Sequence, residues 1–283
     1  MAFDITNYVK RAGQLEFEDL DYSAFSEQPL TPDVLRCLRY MHDIENHTVC
    51  YLRDLLVTRA HRDPEITTFL TFWNFEEYWH GEAIGKVLAA HGEPSGSQRV
   101  NLVRQSLGWR DRVAPLSSWL ASSLVKDFVA VHMTWGAVNE LSTLQGYHRL
   151  IARTEHPVLV DLLDRIIKDE RRHFAFYRAQ ARLRLARSAQ ARTITRWALD
   201  HLWAPVGTGV RPQHETDFAV VAVFGDQAGM ALAREMDETI GELPGLGGVS
   251  VYATALREAM ARMGRRGAPA ERERLATPFA ALR

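Results

Sequence analysis

Two segments carry the same two residues at the same spacing: Glu77-x-x-His80 in FEEYWHGEAIGKVL and Glu170-x-x-His173 in KDERRHFAFYRAQ. On a helix, residues three apart share a face, so each pair presents a carboxylate and an imidazole to one point. Two such pairs, with one further glutamate from each of two other helices, compose the di-iron carboxylate site of four-helix bundles. Carboxylate and imidazole donors without thiolates suit iron or manganese. The pattern therefore requires two more acids on two more helices.

The elements that would position these residues can be read from their start and stop signals. Thr31-Pro32-Asp33 supplies an N-cap, a first-turn proline and an acid at the positive helix end, and the helical pattern continues to about Arg62. Asp63-Pro64-Glu65 opens a second helix that runs to about Ala90 and ends in HGEPSGS. A weaker helix is predicted over 98–108. Pro115 precedes a long helix over 116–153, and His156-Pro157 opens another to about 187. Shorter helices are expected at 190–203, 213–240 and 249–264. No segment reads as a strand. The expected class is all-α: a ferritin-like four-helix bundle with additional C-terminal helices. The expected divisions are an N-terminal arm at 1–30, the helical domain at 31–264 and a polar C-terminal tail at 265–283.

Each long helix carries acid on its apolar stripe. Glu45 falls among Val34, Leu38, Met41, Val49, Leu52 and Leu56; Glu77 and His80 among Leu70, Trp73, Ile84 and Leu88. Glu140 is flanked by Met133, Gly136, Leu144, Tyr147 and Ile151, and Glu170 with His173 by Leu159, Leu163, Ile166, Phe174 and Tyr177. A bare buried carboxylate is costly and takes up a proton or finds a partner. Six such groups on four facing helices need a shared counter-charge, which two divalent cations supply. The expected ligands are Glu45, Glu77, His80, Glu140, Glu170 and His173. The repeat favours Glu77 over its neighbour Glu76, which is expected to point elsewhere. His42, His47, His132 and His148 are expected at helix surfaces or core edges.

Composition narrows the setting. The chain has 283 residues, 46% of them hydrophobic and 24% charged, with a formal net charge of −1. That balance gives no bulk field for nucleic acid or an acidic membrane. Two cysteines, Cys37 and Cys50, do not make a disulfide scaffold. The start lacks the apolar core of a signal peptide, and no stretch approaches the roughly 18 apolar residues that span a bilayer. The expectation is a soluble cytoplasmic protein with no integral membrane segment.

With the motifs in place, the chain resembles the soluble acyl-acyl carrier protein (ACP) desaturases. FWNFEEYWHG is similar to their Trp-x-x-Glu-Glu-x-x-His-Gly segment, and LLDRIIKDERRHFAFY to their Asp-Glu-x-x-His segment. GAVNELSTLQGYHRLIARTEHPVLVDLL resembles their third ligand helix and the run into the fourth. The resemblance covers about residues 31–187 and continues more weakly beyond. It implies a reduced centre of two iron ions that uses O2 and electrons from a ferredoxin-like donor. It implies an acyl-ACP or related thioester substrate, hydrogen removal from an unactivated C–H bond, and a homodimer. It places Thr143 beside the oxygen-binding side of the metals and Asp169 behind a ligand histidine. It associates Trp73 with that same Asp169 chain and with electron delivery.

An acyl chain would then lie in an apolar channel beside the metals, with Met133, Gly136, Leu144, Tyr147 and Phe174 as expected lining from their stripe positions. The basic run Arg178, Arg182, Arg184, Arg187, Arg192 and Arg196 is either a landing patch for a carrier or a solvated helix face. The chain departs from the family in its short N-terminal part, in bulky Tyr78 and Trp79 between the ligands, and in Asn139 and Leu141 beside Glu140. A di-iron N-oxygenase or hydroxylase of a specialised pathway, a ferritin-like iron-oxidising protein and a metal-free bundle are the competing readings.

Overall fold

Local capping chemistry sets several helix starts in the computed structural model, which describes residues 3–124 and 127–266. Asp4 caps α1 (Ile5–Arg11), and α2 (Ala24–Glu27) is a single turn. Thr31 Oγ1 accepts from Val34 N and opens α3 (Pro32–Glu45), which is followed by α4 (Thr48–Leu56) and a 3-10 turn at Arg59–Arg62. Asp63 accepts from the amides of Glu65 and Ile66 to start α5 (Pro64–Ala90). Then come α6 (Gly96–Ser106), α7 (Trp109–Leu124), α8 (Phe128–Ile151) and α9 (Pro157–Arg187). The chain continues through α10 (Ala189–His201), α11 (Gln213–Phe224), α12 (Gln227–Gly241) and α13 (Val251–Arg266). No strand forms among the described residues, so the class is all-α. The expected polar tail lies outside the described residues from position 267 onward.

Three expected helices are broken. The first stops at Glu45, because Asn46 turns its side-chain amide back to the His42 carbonyl at 3.0 Å and Thr48 Oγ1 donates to the Glu45 carbonyl at 2.7 Å. Such side-chain bonds offer the backbone an alternative to helical pairing. The Asn46 amide also packs where a Cβ on Gly81 would stand, so the break is wedged against α5. Beyond it the apolar stripe changes face: Val49 and Leu56, expected inside, are 41% and 43% exposed. The span 116–153 divides into α7 and α8. α7 starts earlier than expected and runs through Pro115, at the loss of one helical hydrogen bond. The span 213–240 breaks at Gly225-Asp226, where Asp226 Oδ1 accepts from Gly229 N at 2.7 Å and so caps α12.

α3 packs chiefly on α5, and α8 on α9, giving two helix pairs that face one another. Two apolar clusters hold them. One joins Ile66, Phe69, Leu70 and Trp73 of α5 to Met133 and Ala137 of α8 and Phe176, Tyr177 and Ala181 of α9. The other joins Leu38 of α3, Ile84 and Leu88 of α5, Leu144 of α8 and Leu163 and Ile166 of α9. Along α5 and α9 the Glu-x-x-His residues fall between the two clusters, so the acids form a polar layer between apolar layers. Each fully buried large apolar side chain stabilises by about 1.5–3 kcal/mol, which offsets the cost of that layer. Residues 3–30, expected as a mixed, polar arm or short helix, form the short helices α1 and α2 and pack on the core. Tyr8, Leu15, Phe17, Phe25 and Leu30 are buried, with Tyr8 in the first cluster and the others in the second.

Candidate metal centre

Glu45 comes from the last turn of α3, Glu77 and His80 from α5, Glu140 from α8, and Glu170 and His173 from α9. All six are buried. Their donor atoms fall into two groups, Glu45-Glu77-His80-Glu170 and Glu77-Glu140-Glu170-His173, each within 4.8 Å of one another. Glu77 and Glu170 belong to both. Such an arrangement could hold two adjacent cations, with Glu77 and Glu170 available to both and one further glutamate and one histidine available to each.

The histidines are committed by their other nitrogen. His80 Nε2 lies 3.3 Å from Asp169 Oδ2, and His173 Nε2 lies 2.8 Å from Glu76 Oε2. A carboxylate at Nε2 holds the proton there and leaves the Nδ1 lone pair for a cation. Both Nδ1 atoms face the acids: His80 Nδ1 is 3.2 Å from Glu170 Oε1, and His173 Nδ1 is 3.2 Å from Glu77 Oε1. Neither Nδ1 nor either Glu170 oxygen has a hydrogen-bond partner, although all are buried. Four orphaned donor atoms converging on one space fit a divalent cation pair, whose bonds of about 2.1 Å would satisfy them.

Electrostatics show how poorly protons alone serve the layer. Burial, then the charge of Glu77, holds Glu45 well above the usual carboxylate range. Burial also raises Glu140, with the charges of Glu170 and Glu77 adding and His173 opposing. For Glu77, burial pushes upward, but the neighbouring Glu45 carboxyl and the His173 and His80 imidazoles outweigh it and hold it well below. Burial would lower both histidines, yet the surrounding carboxylates raise both well above the ordinary imidazole value. Closely packed acids cannot all ionise without a counter-charge.

The ligands are held in turn. Trp73 Nε1 donates to Glu140 Oε1 at 3.0 Å, and the Tyr147 hydroxyl donates to Glu45 Oε1. Arg172 Nη2 reaches both outer acids, Glu76 Oε1 at 2.8 Å and Asp169 Oδ1 at 2.6 Å. The Tyr8 hydroxyl donates to Glu76 Oε2 at 2.7 Å.

A cavity of about 410 Å³ opens beside the cluster and is lined by Glu45, Glu77, Glu140 and Glu170 together with Tyr51, Trp73, Trp135, Gly136, Asn139 and Thr143. Its outer wall is the strap after α10, residues 202–210. The strap is fastened where the Tyr40 hydroxyl donates to the Val206 carbonyl and where Arg211 Nε lies 3.2 Å from Asp43 Oδ2. Gly207, at φ 90°, sits where a Cβ would strike Tyr40 and Ile44. Past Thr143 and Glu45 a smaller apolar pocket of about 70 Å³ shares Ile44, Pro205 and Val206 with the cavity and adds Met41, Gly146, Val220, Val223 and Phe224.

These placements adjust several expectations. Thr143 lines the cavity and Asp169 holds His80, as the resemblance implied. Trp73 serves Glu140 and is not hydrogen-bonded to Asp169. Of the expected channel residues, only Gly136 lines the cavity. Met133 and Leu144 are packed in the core, Phe174 packs against it, and Tyr147 is a Glu45 partner. Gly136 itself gives room to the Tyr177 ring. Glu76 belongs to neither donor group and instead meets His173 Nε2. His42 is fully buried, unlike the expected surface or core-edge position, whereas His47 is partly buried and lines the cavity at a core edge. Much of the arginine run is engaged internally: Arg178 with Glu242, Arg184 with Asp63 at 2.6 Å, Arg192 with the Leu185 carbonyl at 2.9 Å and Arg196 with Asp200 at 2.9 Å.

No protein-family model, curated protein or solved structure matches this chain. No helix among the described residues is long and apolar enough to cross a membrane. The chain is thus an all-helical protein with a buried carboxylate–histidine cluster able to hold metal.

Proposed function

We propose that the chain is an O2-dependent di-iron oxidoreductase of the ferritin-like type, acting on an aliphatic C–H bond of an acyl or similar chain. The observation that carries this reading is the doubled donor set sharing Glu77 and Glu170, with its orphaned Nδ1 and carboxylate atoms, in the wall of the cavity. Bound iron would supply O2 activation and hydrogen abstraction.

The residues supply the rest. Glu45, Glu77, Glu140 and Glu170 balance the charge of two divalent ions, with His80 and His173 neutral. Trp73 and Tyr147 fix the two private glutamates by donating to one oxygen of each. Thr143 stands at the junction of cavity and apolar pocket, where its hydroxyl can hold a proton. The apolar pocket walled by Met41, Val220, Val223 and Phe224 would exclude water and take an alkyl end. A cavity with an apolar branch favours an organic substrate over iron storage. The thioester carrier, the ferredoxin-like donor and a homodimer complete the proposal by resemblance.

The test is metal content followed by single-turnover chemistry. The reading expects two iron ions per chain and, after reduction and exposure to O2 with acyl thioesters, a product two hydrogens lighter by mass spectrometry. A product one oxygen heavier would move the assignment to a hydroxylase or N-oxygenase. A chain that holds no iron or manganese would end it.

A further inference from the structure

We propose that the N-terminal helix α1 is a working part of the metal centre: Tyr8, acting through Glu76, sets how tightly the position bounded by Glu140 and His173 holds its ion. The inference rests on the di-metal reading above and concerns a positioning residue.

Tyr8 is 2% exposed, and its ring packs on Phe69 of α5 at 5.2 Å. Its hydroxyl donates to Glu76 Oε2 at 2.7 Å, and that same oxygen lies 2.8 Å from His173 Nε2. The other Glu76 oxygen accepts from Arg172. Glu76 is therefore held by Tyr8 of α1 and by Arg172 and His173 of α9, and its orientation toward His173 is fixed.

The other half of the centre is built differently. Asp169 meets His80 Nε2 at 3.3 Å and takes its remaining bond from Arg172. No phenol backs it. A ligand imidazole that donates firmly to a carboxylate is fixed in tautomer and becomes a stronger donor, and losing that carboxylate's support costs metal affinity. The two positions are thus unequal: His173 has the shorter contact to its carboxylate, which Tyr8 braces as well as Arg172, and the Tyr8 brace belongs to α1.

α1 lines no part of the cavity, so Tyr8 cannot act by touching a substrate. Phe3, just ahead of α1, meets Phe176 of α9 edge-on at 5.2 Å, so this terminus lies across both Glu-x-x-His helices. The segment is where local sequence gives least warning of a site.

Cobalt(II) titration of the full chain, followed by its visible absorption bands, tests this. The wild-type chain should take up two ions. Tyr8→Phe keeps the packed ring and removes only the hydroxyl. It should weaken one ion by about ten-fold and leave the other within about two-fold, the scale known for lost outer partners of metal ligands. Glu76→Gln should weaken the same ion. Glu45→Ala leaves the position at Glu140 and His173 as the tighter one, and adding Tyr8→Phe there should weaken it. In Glu140→Ala, which leaves the position at Glu45 and His80, Tyr8→Phe should change nothing. Wild-type affinities in Tyr8→Phe would overturn the inference, as would an equal loss at both positions tracking a fall in melting temperature. A wild-type chain that binds no cobalt would sink the di-metal reading itself, a result distinct from either.

Discussion

Asp169 Oδ2 lies 3.3 Å from Nε2 of His80, reaching from α9 to α5. Glu76 does the reverse for His173, from α5 to α9. Each is the residue directly before a ligand glutamate. The repeated unit is therefore longer than Glu-x-x-His: an acid, a bridging glutamate and a histidine, in which the acid serves the histidine of the opposite helix. Arg172 joins the two acids and closes the exchange.

Bridging and private ligands should separate by metal count. Glu77→Ala and Glu170→Ala each remove a donor from both positions and should lose both ions. Glu45→Ala and Glu140→Ala should each retain one. Elemental analysis of protein purified without chelator reads the difference, and two ions retained by Glu170→Ala would refute the bridging assignment.

Metal removal should cost stability. A ligand at about a hundred times its dissociation constant stabilises by about 2.7 kcal/mol. For a chain of this size one kcal/mol shifts the melting temperature by about 2–4 °C. Chelation should thus lower it by roughly 10 °C, and re-addition of iron(II) without O2 should restore it. Calorimetry showing no shift would contradict the proposal.

Gly136→Ala should destabilise. Helix propensity alone favours alanine by about 1 kcal/mol. The added methyl, however, would collide with the buried Tyr177 ring, and overpacking costs about 1–3 kcal/mol. A net loss of about 1 kcal/mol in urea unfolding is expected, with a gain arguing that the ring moves freely.

His132 should make the fold acid-sensitive. The residue shows some surface, but Nε2, the atom that needs hydration once charged, is buried without a partner. Burial pulls its pKa down to about 4. The unfolded chain binds the proton near 6.5, so the stability is fully present above that value and is lost as pH falls toward 4. The loss is at most about 3 kcal/mol. His132→Phe should flatten this part of the profile; parallel profiles for the two proteins from pH 7 to 4.5 would disprove it.

The clustering of the six acids and histidines was legible because helical spacing places them on the buried faces of four helices. Asp169 was legible only through resemblance. Glu76 was passed over because the repeat was weighed for ligands and not for the residues that hold them; the acid at the same offset in both motifs was the available signal. The break after Glu45 was hidden because Asn46 and Thr48 are tolerated in helices, and only the close approach of Gly81 makes the turn the better choice. Tyr8 lies in a mixed segment without periodicity, and its partner stands 68 positions away. The cavity wall was equally invisible, since the strap at 202–210 has no local pattern that says what it covers.

The crossed service of the two motifs also sets an order of events in the cell. A nascent chain that has emerged only as far as α5 carries Glu77 and His80 but neither Asp169 nor Glu170. Neither donor group is complete until the ribosome has delivered Glu170 and α9 has docked. On the di-metal reading, ion loading therefore waits for α9 and cannot proceed helix by helix.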